Sequence, residues 1–168
     1  MIHLLNHGPT STRGPVALTI TSYVAAVALL TWATINGQLG GYLYGWILMT
    51  VLAFPASLLN LLLDGPLRHA LIGQTSGDEI SPWSYLIFAW PGLLMALILA
   101  WSLTTHRPHR VTSIASWSLT TVAFLAGIVI TFDQWAPRRP YGWPFVLCGT
   151  GMAIGLLLTR RAEKRTGQ

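Results

Sequence analysis

Asp, Glu, Lys, Arg and His are missing from four long stretches of the chain: Gly14 to Leu63 (50 residues), Ile80 to Thr105 (26), Val111 to Phe132 (22) and Pro140 to Thr159 (20). A helix on a soluble domain needs a polar face, so its charges recur every three or four positions. Uncharged stretches of roughly 18 or more residues match the hydrocarbon thickness of a bilayer instead. The apolar residues also lack the alternation of barrel strands. The pattern predicts an all-α fold, a polytopic bundle of transmembrane helices.

The first stretch would make a helix of about 75 Å, far longer than a bilayer about 30 Å thick. It must fold back, and Asn36-Gly37-Gln38-Leu39-Gly40-Gly41 is the turn, rich in residues that accept positive φ. Five spans follow in one membrane domain, near 15–35, 42–63, 83–103, 112–132 and 143–159, with a basic tail at 160–168. The fifth is the shortest, and the count falls to four if it does not cross. Trp32, Trp46, Trp83, Trp101, Trp117, Trp135 and Trp143 lie near the proposed ends, as an interfacial aromatic belt requires. Pro55 in the second span and Pro91-Gly92 in the third interrupt helical hydrogen bonds and are expected to kink both.

Composition agrees with this pattern: 52% of the 168 residues are hydrophobic and 9% charged, against about 25% charged in soluble domains. The one cysteine, Cys148, leaves no intramolecular disulfide and no multi-cysteine metal site. The apolar part of the N-terminal segment exceeds the roughly 7–15 residues of a signal-peptide core and is read as a retained span. Five spans put Arg13, Arg68, Arg138 and Arg139 on one side, and Arg107, Arg110, Arg160, Arg161, Lys164 and Arg165 on the other. The positive-inside rule then places the N-terminus outside and the C-terminus in the cytoplasm, for a multi-pass protein of the plasma membrane.

Candidate chemistry is sparse. Asn60, Asp64, His69, Asp78 and Glu79 form the main polar cluster, in and beside the 64–82 connection. Carboxylates beside an imidazole can support acid–base work or hold a cation. The longest connection of a membrane protein also gathers polar residues simply because it is wet. His106 and His109 are spaced for a helical metal pair, but Pro108 intervenes and no third ligand is near. No span carries a central charge, which argues against a proton pump or voltage sensor. No nucleotide, zinc-protease, serine-hydrolase or thiol-redox motif occurs. The sequence therefore predicts no catalytic residue, metal or cofactor. The basic tail reads as a topology anchor on the lipid bilayer, with no nucleic acid as partner.

Small residues recur at helical spacing: Gly92, Ala96 and Ala100, then Ala123 and Gly127, then Gly151 and Gly155. Such positions let helix backbones approach closely, within one chain or in a homo-oligomer. The stretch Gly41 to Trp46 and the following Leu52 to Leu58, ahead of Ser81-Pro82-Trp83, resembles a group of small actinobacterial membrane proteins with no assigned activity. In that group an aromatic-rich span start leads into an Ala/Pro/Ser segment. The resemblance implies a multi-span fold and no function. The expected role is a non-catalytic membrane protein, an accessory subunit packed on a larger membrane-protein partner. One alternative is a small-solute carrier or channel acting as an oligomer, and another is an enzyme using the 64–82 loop.

Overall fold

The computed structural model describes residues 13–59, 62, 82–104, 110–134 and 136–166. It is an all-α bundle, and no strand occurs among the described residues. Five helices follow in order: α1 (Arg13–Ile35), α2 (Tyr42–Leu52), α3 (Pro82–Thr104), α4 (Arg110–Thr131) and α5 (Arg139–Thr166). A short 3-10 turn, Ala136–Arg138, precedes α5. Four of the five helices are long and apolar enough to cross a membrane, and α2 is not.

α5 is the hub. It lies between α1 and α4 and presents glycines to both. A methyl group added at Gly149 would sit 2.9 Å from the backbone of Phe124 on α4. One at Gly151 would sit 2.5 Å from Ser22 Oγ on α1, and one at Gly155 would overlap Thr19. Positions 149 and 151 lie about 200° apart around a helix, so a single element makes two backbone-close seams on opposite faces. Both seams run antiparallel: Gly155 meets the start of α1, whereas Tyr141 meets its end through Trp32 and Gln38.

The expected fifth span, at 143–159 the shortest, belongs to the longest helix, 28 residues. That is about 42 Å, so its ends extend beyond the hydrocarbon layer. Charged residues at such ends are solvated, and Arg139 and Arg160 to Arg165 therefore do not stop the helix.

The expected second span, 42–63, is corrected. Its first helix ends at Leu52 after 11 residues, about half a bilayer, Ala53 to Ala56 form a turn with a cis Phe54–Pro55 bond, and helical residues resume at 57–59, beyond which only Leu62 of the expected span is described. Pro55 has no N–H to continue the ladder. Pro91, in contrast, lies inside an unbroken α3.

This shortening changes the topology. Gly45 packs on Thr34, so α2 starts at the α1 C-terminal end and runs back beside α1. The Tyr42 and Phe88 rings touch at 5.6 Å, and Gly92 faces Val27 further along α1. α3 therefore starts at the same end of the bundle as α2. The start of α4 then lies beside the end of α5, where Arg160 Nη2 donates to Ser113 Oγ at 2.6 Å. Hence the start of α1, the end of α3, the start of α4 and the end of α5 share one end of the bundle. Five full crossings would instead have put the start of α1 and the end of α5 at opposite ends.

Candidate functional site

The sequence-predicted cluster of Asn60, Asp64, His69, Asp78 and Glu79 lies outside the described residues, as does the His106/His109 pair. Two other polar arrangements are described, one deep in the bundle and one at its α2-start end.

The deep one surrounds the end of α2. Where the ladder stops, carbonyls lose their backbone donors, and an orphaned carbonyl in an apolar interior is costly. Two hydroxyls take this role. Tyr23 Oη, fully buried on α1, donates to Leu52 O at 3.1 Å, and Ser57 Oγ donates to Thr50 O at 2.7 Å. Backbone bonds complete the turn, from Ala53 N to Met49 O and from Ser57 N to Ala53 O. Ser57 borders a cavity of about 10 Å³ lined also by Trp46, Met49, Phe88 and Pro91. That is room for about one water molecule and no solute.

Elsewhere in the core, buried hydroxyls turn inward on their own helices. Thr19 donates to Pro15 O, Thr31 to Val27 O, Thr34 to Leu30 O and Thr120 to Ser116 O, all at 2.7–3.1 Å. Around them Tyr23, Leu30, Leu39, Ile130 and Met152 are fully buried, so the interior is filled.

The second arrangement closes the other end of α1. Gly37 (φ 67) and Gly40 (φ 75) make the turn between α1 and α2, and Leu39 folds into the core from it. Tyr141 Oη donates to Gln38 Oε1 at 2.6 Å, tying this turn to α5. Asp133, just past α4, pairs with Arg138 at 2.8 Å, and Arg139 Nε donates to the Asp133 carbonyl at 3.0 Å. The Arg138 guanidinium also lies over the Tyr44 ring, 4.3 Å from its centroid. These bonds pin the α1–α2 turn, the start of α2 and the α4–α5 connection to one another.

The predicted packing residues fall on intrachain contacts. Gly92 faces Val27, and Gly127 lies against Val146, where an added methyl would sit 2.6 Å from the backbone nitrogen. Gly151 and Gly155 face α1, Ala96 and Ala123 are buried, and Ala100 is half-buried. Sequence spacing missed Gly45, Gly142 and Gly149, which make equally close approaches. It also missed Tyr23 and Ser57, because nothing local marks a hydroxyl whose acceptor is freed by a break elsewhere. No group of three or more His, Cys, Asp or Glu side chains comes together among the described residues, and Cys148 is a half-buried free thiol.

No protein-family model matches the chain, and neither a curated protein nor a solved structure does. The site therefore rests on its own geometry: a filled membrane bundle, a half-length helix capped by two hydroxyls, and a pinned turn.

Proposed function

We propose that the protein is a non-catalytic membrane bundle that serves as an accessory subunit, packing its outer face against a larger membrane protein. One observation carries this reading. The buried hydroxyls of Tyr23, Thr31, Thr34, Ser57 and Thr120 bond backbone carbonyls, and the cavity beside the α2 break has room for about one water. A solute path or an active site needs polar groups left available to a ligand. Outward on α3, Leu97 (68% exposed) and Trp101 (77% exposed) offer large apolar surface for a partner helix.

The carrier reading keeps one observation in its favour, the discontinuous helix at membrane depth, since transporters place half-helix ends at their sites. The enzyme reading rests on 64–82, outside the described residues. The basic residues at the shared end of the bundle support an orientation. Arg13, Arg110, Arg160, Arg161, Lys164 and Arg165 cluster there, against Arg138 and Arg139 at the other end. The positive-inside rule puts the first group, and hence both helix termini, in the cytoplasm, with the plasma membrane as the site.

A photo-crosslinking residue at Leu97 or Trp101, activated in cells of the native host, tests the subunit reading. A discrete heteromeric adduct of constant mass is expected from both positions. Adducts to lipid alone, together with solute flux through the purified protein in liposomes, would favour the carrier.

A further inference from the structure

An open groove of about 570 Å³ lies along α4 at the basic end of the bundle, with Arg160 of α5 at its edge, and neither the subunit reading nor the core accounts for it. Along α4 its lining runs from Ser113 and Ile114 at the mouth, beside Arg160, through Trp117 and Ser118 to Thr121 and Val122. Arg110 precedes the uncharged stretch of α4, Val111 to Phe132, and Arg160 follows that of α5, Pro140 to Thr159, so the mouth lies at the charged ends of both stretches. The mouth therefore sits where hydrocarbon meets headgroups.

The charge at the mouth is held in place. Arg160 Nη2 donates to Ser113 Oγ, and the guanidinium carbon lies 5.2 Å from the Trp117 ring centroid. A guanidinium carries five donors in a planar fork, and the Ser113 bond engages one. The indole N–H of Trp117 is shielded from solvent and meets no acceptor among the described residues. The corner is rich in donors, and Arg161, Lys164 and Arg165 follow on the same helix end. A fork of this kind matches the two oxygens of a phosphodiester, and the apolar length beyond it matches an acyl chain.

We propose that this groove binds an anionic phospholipid, with the phosphodiester on Arg160 and Ser113 and one acyl chain along Ile114, Trp117 and Val122. The complementarity of charge at the mouth and the apolar run beneath it select a lipid over a soluble anion. A guanidinium fixed against Ser113 and Trp117 distinguishes the site from the diffuse attraction of the basic tail.

Native mass spectrometry of the full chain, purified in mild detergent, tests this directly. The probe is an equimolar mixture of phosphatidylglycerol and phosphatidylcholine with matched acyl chains. Both lipids carry the phosphodiester, but choline adds a cation beside Arg160 and the basic residues that follow it, so the wild type is expected to retain phosphatidylglycerol over phosphatidylcholine by roughly tenfold. Arg160→Gln should bring the ratio close to one. Arg160→Lys, which keeps the charge and loses the fork, should fall between. Arg161→Gln, on a residue outside the groove lining, should change the ratio by less than about twofold. Equal retention of both lipids by the wild type would overturn the proposal. So would a preference reduced as much by Arg161→Gln as by Arg160→Gln, which would mean unlocalised charge. Should Arg160→Gln aggregate, the wild type, Arg160→Lys and Arg161→Gln still decide between these outcomes.

Discussion

α2 and α5 are both apolar and aromatic at the start, and each meets a proline, Pro55 just beyond α2 and Pro144 inside α5, yet they occupy the bundle in opposite ways. α5 runs 28 residues through Pro144 and buries two glycine seams against two neighbours. α2 stops after 11 residues, and its last carbonyls are satisfied by hydroxyls from elsewhere. The difference lies in position and supply. Pro144 falls in the second turn of its helix, where the missing N–H costs little because few helical bonds precede it. Pro55 falls in mid-run, with Tyr23 and Ser57 in place to receive the freed carbonyls. Continuity of a membrane helix is thus decided by who satisfies its backbone, not by hydropathy.

The largest expected effect breaks the α5 side of this contrast. Gly149→Val places its Cβ against the Phe124 backbone, which cannot swing aside as a side chain does. Overpacking of this kind costs about 3 kcal/mol, so the thermal midpoint in detergent should fall sharply and the α4–α5 pair should separate. Gly14→Ala, where nothing lies within 4 Å, should leave the midpoint unchanged and serves as the control.

The α2 side is sharpened by comparing hydroxyls. Tyr23→Phe orphans Leu52 O in the interior and should cost about 1.5 kcal/mol. Thr31→Val and Thr120→Val remove hydroxyls whose acceptors keep their helical N–H partners, and each should cost about 0.6 kcal/mol or less. Equal losses at Tyr23 and Thr31 would mean that the α2 break is not held by the Tyr23 bond.

How much of this was legible in the sequence depends on the range of the interaction. The four long helices and the turn at 36–41 follow from local apolar runs and from glycines, and the structure places them within a few residues of expectation except at the ends of α5. The α2 break was only half legible: Pro55 signals an interruption, but its depth depends on Tyr23, 29 positions before the carbonyl it serves. Helix packing, in contrast, is a long-range matter: the contacts of α2 and α3 bring the start of α1 and the end of α5 to one end of the bundle, where five crossings would have parted them. The glycine seams were visible where two small residues share a face, as at Gly151 and Gly155, and invisible at Gly142, which has Arg138 and Val146 four positions to either side. The candidate acidic cluster around Asp64 and Asp78 lies outside the described residues.

A smaller effect is expected at the pinned end. Asp133→Asn removes the carboxylate from Arg138, whose side chain is about one-fifth exposed, and should cost about 0.5 kcal/mol. The loss should shrink in 1 M salt, where the Debye length is about 3 Å. A cost as large as that of Tyr23→Phe would shift the weight of the account from the α2 break to this end.

The central claim is that α2 and α3 begin at the same end of the bundle, so that the start of α1 and the end of α5 share one side of the membrane. Single cysteines in a Cys148→Ser background, probed with a membrane-impermeant thiol reagent on intact cells and again after permeabilisation, test it most directly. Gly14→Cys and Thr166→Cys should behave alike, protected in intact cells and labelled after permeabilisation. Asn36→Cys and Gln134→Cys, at the opposite end, should label in intact cells. Labelling of Gly14→Cys but not Thr166→Cys, or the reverse, would show an odd number of crossings and contradict the account.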